Sequence, residues 1–289
     1  MDTRKAGKRQ SPRLAMTQGM AAVICQLIVS MTLASCEKEI EIDYHDMKPM
    51  YVVEGSVSNL NASVRVSRTL PVMGADKDSE TVTDATVVLV TGDSIRETLP
   101  YRSDGYYRSP TRAKAGTNYR LEVTVGNQLF TSTSVMQRQP VMNSMRFVWK
   151  KIFGRRILFA DLRLQDLPDE TNYYYLHLFR NGVPYRSAVM RDRSNPGGEL
   201  QQLFSLCTDD DLNSGDRTAK ETLYEGDVLS LEIRSIDSSA YDYLFSLLSM
   251  NNSGTNPIAN FEGGCLGYFS AFHQIVYNFT YNNADSEEE

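Results

Sequence analysis

From Tyr51 onward, apolar and polar positions alternate with period two in short runs closed by turn residues, the signature of half-buried strands. Tyr51-Val52-Val53 leads into Gly55 and Val57, and Val64 and Val66 alternate with Arg65 and Ser67. Thr86 to Val90 and Ser94 to Leu99 flank Thr91-Gly92-Asp93, a hairpin pattern. Tyr119 to Val125 and Gln128 to Val135 flank Gly126-Asn127, a two-residue loop of residues that accept positive φ. Further on, Ile157 to Leu164 alternates around Asp161 and Arg163. Tyr173 to Arg180 and Val183 to Met190 bracket Asn181-Gly182, the strongest short hairpin signal in the chain. In Val228 to Ile236, Leu229, Leu231 and Ile233 oppose Ser230, Glu232 and Arg234.

One segment breaks the two-residue period. Ser239 and Asp242 have capping-box spacing, and Tyr241, Leu244, Phe245 and Leu248 share one helical face before Asn251-Asn252-Ser253-Gly254 stops it. The pattern predicts a mainly β protein. Its first domain, 50–139, reads as an immunoglobulin/transthyretin-like β-sandwich. A second β-rich sandwich domain, 140–283, carries one amphipathic α-helix near 239–250, and an acidic tail, 284–289, is expected to fray.

The N-terminus has a different character. Arg4, Lys5, Lys8, Arg9 and Arg13 form a basic head, and Met20 to Leu33 is an apolar stretch. That stretch is shorter than the about 20 apolar residues that span a bilayer. It ends in Leu33-Ala34-Ser35-Cys36, which resembles the bacterial lipobox. The resemblance implies that residues 1–35 are a lipoprotein signal peptide, cleaved before Cys36, and that Cys36 carries the lipid. Two or more acyl chains anchor a protein stably, where one does not. An ordinary cleaved signal with an incidental cysteine is the competing reading. Residues 36–49 form an acidic tether with Glu37, Lys38, Glu39, Glu41 and Asp43. That tether is similar to the acidic surface-export signals of Bacteroidetes lipoproteins, which implies lipid anchoring in the outer membrane and display at the cell surface.

Removing residues 1–35 takes away five of the 30 basic residues and one of the 36 acidic ones, leaving a formal charge of −10. So acidic a body lacks the basic footprint that nucleic acid requires. A hydrophobic content of 41% is enough for a real core, so global disorder is not expected. Of the four cysteines, Cys207 and Cys265 remain after Cys25 leaves with the signal and Cys36 is lipidated. Beyond the inner membrane they are candidates for a disulfide, worth roughly 4 kcal/mol in the chain-entropy model. Two separately buried thiols are the alternative.

Candidate chemistry is sparse. Asp209, Asp211 and Asn213 imitate the ligand spacing of a calcium loop. Ser214 stands where the tight-turn glycine belongs and Lys220 where the bidentate acid belongs, so a solvated turn is the better reading. His45, His177 and His273 lack metal-ligand spacing. No nucleophile elbow, phosphate loop or dinucleotide fingerprint is present, so no cofactor is expected and the chain reads as a non-enzyme. Tyrosines are numerous, and Tyr173-Tyr174-Tyr175 must send neighbours to opposite sheet faces. Exposed tyrosines suit carbohydrate or peptide binding, and sheet edges and domain seams account for the same pattern. Asp93-Ser94-Ile95 resembles the Bacteroidetes O-glycosylation acceptor, which makes Ser94 a candidate modification site.

Asp84 to Leu89, Asp104-Gly105-Tyr106-Tyr107 and Gly116-Thr117-Asn118-Tyr119 resemble carboxypeptidase-regulatory and transthyretin-like sandwich modules. A wider pattern resembles the domain of unknown function 4249 family of Bacteroidetes outer-membrane lipoproteins. It runs from Val53-Glu54-Gly55 through Tyr173-Tyr174-Tyr175, Gly226-Asp227-Val228 and Ile236-Asp237. It closes with Asn256-Pro257-Ile258-Ala259-Asn260 and Gly263 to Phe269, the most specific part. This resemblance implies a membrane partner through the lipid anchor. It also implies a binding or accessory role beside a TonB-dependent outer-membrane transporter, in capture or uptake of a ligand the sequence does not name. A structural or adhesive surface protein is the alternative, and an unrecognised hydrolase the third reading.

Overall fold

A computed structural model of the chain describes residues 49–70, 80–168, 171–192, 198–213, 222–253 and 257–289. Cys36, His45, the signal peptide and all of the tether but Pro49 lie outside the described residues. In chain order the first strands are β1 (Tyr51–Ser58), β2 (Ala62–Arg68), β3 (Glu80–Thr81), β4 (Thr86–Thr91) and β5 (Ile95–Leu99). They are followed by β6 (Tyr101–Ser103), β7 (Tyr106–Ser109), β8 (Asn118–Val125) and β9 (Gln128–Val135). The second half holds β10 (Met142–Ile152), β11 (Arg155–Gln165), β12 (Tyr173–Arg180), β13 (Val183–Arg191), β14 (Glu199–Thr208) and helix α1 (Asp209–Asn213). It closes with β15 (Val228–Ile236), helix α2 (Ser238–Ser253), β16 (Leu266–Thr280) and β17 (Glu287–Glu288).

The strands make three sheets. A nine-stranded sheet runs β13-β12-β15-β16-β1-β2-β7-β6, with β3 beside β2, and two four-stranded sheets run β14-β11-β10-β17 and β5-β4-β8-β9. The expected hairpins form at Gly92, Gly126 and Asn181-Gly182, and the last pair has positive φ at both residues, 50° and 79°.

The feature that no local pattern announces is β16. Its first half pairs parallel with β1, from Val52↔Leu266 to Ser58↔Phe272. Its second half pairs antiparallel with β15, on the opposite edge, from Ser235↔His273 to Val228↔Thr280. One strand therefore belongs to both halves of the molecule, and Asp46–Glu289 form one compact unit. The core built on the strands before residue 139 also takes in Cys265, Phe269 and Ala271 from the far end of the chain.

A strand that changes partners midway exposes backbone groups on both edges, and buried backbone polar groups need partners. Asparagine amides supply them. The Asn260 amide donates to the Phe269 carbonyl at 2.8 Å and accepts from the Phe269 N–H at 2.8 Å. Where β1 ends, Asn59 does the same for Gln274, at 3.0 and 2.8 Å. Ser134 Oγ accepts from the Ala271 N–H at 2.7 Å. Each asparagine side chain thus stands in for one residue of a missing strand. Gly267 permits the close approach of β1: its φ is +99°, and a Cβ there would lie 2.1 Å from the Val53 carbonyl oxygen.

Three clusters of buried side chains follow from this layout. The first gathers Val53 and Val57 of β1, Val64 and Val66 of β2, Leu121 and Val123 of β8, and Phe269 of β16. The second gathers Leu158, Leu162 and Leu164 of β11, Leu176 and Leu178 of β12, and Leu229, Leu231 and Ile233 of β15. Each such side chain contributes on the order of 1.5–3 kcal/mol by leaving water. A third, smaller cluster lies under α2, where Ala240, Tyr241, Tyr243 and Leu244 meet Phe272, Tyr173, Tyr175 and Tyr268.

The helix departs from its expected start and face. Asp237, not Ser239, caps it, accepting from the Ala240 N–H and the Ser239 hydroxyl, both at 2.9 Å. The other carboxylate oxygen of Asp237 takes the Val135 N–H at 3.1 Å and the Ser134 hydroxyl, which pins the helix to the end of β9. Tyr243 stacks on Tyr268 at 4.5 Å and turns the buried arc towards 240-243-244, so Phe245 and Leu248 are exposed.

The acidic tail is also not frayed. Asn283–Asp285 form a 3-10 turn, and β17 pairs parallel with β10 through Val148↔Glu287 and Trp149↔Glu288. Three consecutive glutamates meet a row of cations: Glu287 pairs with Arg146 at 2.6 Å, Glu288 with Arg156 and Glu289 with Lys150. A charge run read alone shows no partner; the basic row it meets lies over 130 residues away.

Candidate functional site

On β1, Val53 and Val57 point into the core, so Glu54, Ser56 and Ser58 point out. Strand register extends that face sideways. Glu54 lies beside Tyr268 of β16 and Arg65 of β2, and Arg65 lies beside Tyr106 of β7. Two residues along, Ser56 lies between Ser270 and Ser63, and two residues further Ser58 meets Phe272. Beyond the end of β1, Gln274 pairs with Arg234 of β15. Apart from Ser270, these side chains line an open groove of about 390 Å³ on the outer face of the nine-stranded sheet, at the point where β16 changes partners. That volume falls in the range of small-molecule sites, about 300–1,000 Å³.

The electrostatics are balanced in pairs. Arg65 Nη1 lies 3.5 Å from Glu54 Oε2, and Arg234 Nε donates to Glu232 Oε1 at 2.8 Å. The Arg234 guanidinium sits 4.6 Å from the Phe272 ring centroid and 5.5 Å from that of Tyr175, within cation–π range of both. Burial works against its charge, but the hydrogen bond and the charge of Glu232 overcome this and hold its pKa above the ordinary arginine value. Burial pushes the Tyr268 hydroxyl up to about 12, so it stays a neutral donor and acceptor at physiological pH. His177 lies further along the same face, opposite Glu232, and burial lowers its pKa.

A family model for a domain of unknown function, DUF4249, matches residues 37–274. The chain belongs to that family. The matched span starts directly behind Cys36 and includes every groove residue named above. A search of curated proteins finds no match to the chain.

The residues singled out from sequence fall in scattered places. Cys207 and Cys265 do not form the expected disulfide: both are free and buried, Cys207 in the second core and Cys265 in the first. Each thiol fills a place in a different core, and burial pushes the Cys265 pKa up to about 12. Asp209, Asp211 and Asn213 lie on α1, whose first turn is a reciprocal cap. Asp211 accepts from the Thr208 N–H at 2.8 Å and its hydroxyl at 2.7 Å, while Thr208 Oγ1 accepts from the Asp211 N–H at 3.2 Å. The acids there face a helix N-terminus, and among the described residues no group of three or more His, Cys, Asp or Glu is placed to hold a metal ion. Ser94 is exposed in the β4–β5 turn, open to modification.

Most tyrosines are packing residues. Tyr174 is buried in the second core, and Tyr173 and Tyr175 lie on the opposite face against α2. The Tyr107 hydroxyl accepts from Ala85 N–H at 2.9 Å and donates to the Val82 carbonyl at 3.1 Å. Among the described tyrosines, Tyr106 and Tyr268 line the groove. Sequence reading missed Glu54, Arg65 and Arg234 as neighbours. Their one signal was their place on the polar side of an alternating strand.

Proposed function

We propose that the protein is an outer-membrane lipoprotein, anchored through Cys36 and facing outward. In this reading it is a non-catalytic binding or accessory component of a TonB-dependent transporter. The two cores are read as two sandwich-like halves, the first immunoglobulin/transthyretin-like, sharing strand β16. The observation that carries the reading is the groove on the shared sheet, in a body that follows a lipobox and an acidic tether. It offers paired charges, serine hydroxyls and aromatic walls, the mixture of a recognition site.

Purification from native membranes tests the role. The expected result is a triacylated Cys36 peptide by mass spectrometry, loss of the surface-exposed body on protease shaving of intact cells, and co-purification of an outer-membrane barrel. A protein with an unmodified Cys36, or one that never associates with a barrel, would contradict it.

A further inference from the structure

The geometry points to Arg234 as the anchor for a carboxylate on a small hydroxylated ligand held in the groove, an inference that rests on reading the groove as a ligand site. The guanidinium has three close neighbours: Glu232 accepts from Nε at 2.8 Å, and the Phe272 and Tyr175 ring centroids lie 4.6 and 5.5 Å from its carbon. Its two Nη groups make no hydrogen bond to the described residues, and 23% of the side chain remains exposed, on the groove side. A planar fork of donors, immobilised with its outer groups unengaged, matches the two oxygens of a carboxylate. The ordering cost is already met by the protein, which favours binding.

The surroundings narrow the class. Glu232 lies against the guanidinium, so a doubly charged phosphate would meet like charge there more strongly than a singly charged carboxylate, which replaces solvent at the fork. Along the floor lie Ser56, Ser63, Asn61 and Gln274, donors and acceptors suited to hydroxyls, while Phe272 and Tyr268 supply apolar wall. Ser270, on the same strand face, is buried with a hydroxyl that has no hydrogen-bond partner among the described residues. The chemical class that fits is a carboxylate-bearing polyol, the sugar acids being the simplest members.

The test is an NMR titration of the soluble mature body, following arginine Nε–H signals and groove backbone amides, with three probes: D-glucuronate, D-glucose and inorganic phosphate. The expected result is a saturable shift of the Arg234 Nε signal with glucuronate, and none with glucose or phosphate. Arg234→Lys keeps the charge beside Glu232 but loses the fork, and should weaken glucuronate binding by about tenfold or more. The double variant Arg234→Met/Glu232→Gln removes both charges together, so its failure to bind is not the result of an orphaned carboxylate. Equal shifts with glucose, tighter binding of phosphate, or unchanged affinity in Arg234→Lys would overturn the carboxylate assignment while leaving the groove a ligand site. No groove response to any probe would also overturn it, and the accessory role would still be judged by co-purification.

Discussion

Two outward sheet faces of this molecule carry dense charge, and they use it differently. On the sheet of β14, β11, β10 and β17, Asp161 is fully buried beneath its neighbours. It accepts from Arg163 at 3.0 Å, Gln201 at 2.8 Å and Arg146 at 3.4 Å, while the tail glutamates hold Arg146, Lys150 and Arg156. On the nine-stranded sheet, Arg234 makes one ion pair and keeps its fork open into a groove. Charge density on a strand face therefore does not mark a binding site. What distinguishes the two faces is which hydrogen-bonding groups the fold leaves unengaged, and the open fork lies where β1 stops and β16 carries on beside β15.

The comparison can be broken most severely at the shared strand. Gly267→Ala places a Cβ against the Val53 carbonyl in a backbone conformation that side chains avoid. It should cost more than about 4 kcal/mol or prevent folding, measured by urea unfolding. A cost of only a few tenths would mean that the β1–β16 pairing does not hold the two halves together.

The closed face should respond to losing its central acid. Asp161→Asn should cost about 2 kcal/mol, because the surrounding donors lose a charged acceptor but can still reach water. Burial alone would raise the Asp161 pKa, yet hydrogen bonds from Arg163 and Gln201, with the charges of Arg163 and Arg146, hold it below the usual carboxylate value. A lowered folded-state pKa means this stability is fully present above the ordinary aspartate pKa, about 3.9, and is lost as pH falls through the folded value. Acid unfolding curves of wild type and variant should therefore converge below about pH 4. Parallel curves down to full unfolding would contradict the paired-acid account.

A smaller effect is expected from the tail. Deleting Glu287–Glu289 removes β17 and the four ion pairs these glutamates make among the described residues, so the unfolding midpoint should drop slightly. In about 1 M salt, where screening acts over about 3 Å, most of that difference should vanish. A large drop, insensitive to salt, would make the tail a structural strand rather than an electrostatic cover. The two thiols should be silent in all of this: thiol-specific labelling of native protein should modify neither Cys207 nor Cys265, and denaturation should expose both.

How much of this was legible follows from what is local. Asn181-Gly182 named its hairpin because a two-residue turn with positive φ favours those residues. The polar side of β15 was visible as Ser230, Glu232 and Arg234 alternating with leucine and isoleucine. What alternation could not show was the partner. β1 and β16 lie over 200 residues apart and pair in parallel, and no turn chemistry announces such a contact. The roles of Asn59 and Asn260 were hidden for the same reason: an asparagine that imitates a peptide looks, in sequence, like any loop asparagine. Likewise Cys207 and Cys265 look like a pair until the two cores place them apart.

The most direct measurement sets the two faces against each other. Calorimetric titration of D-glucuronate into wild type, Arg234→Lys and Arg163→Lys compares an arginine with an open fork to one whose donors are already engaged. The account predicts that Arg163→Lys binds as wild type does while Arg234→Lys binds about tenfold more weakly. Equal affinities for all three proteins, or a loss confined to Arg163→Lys, would contradict it.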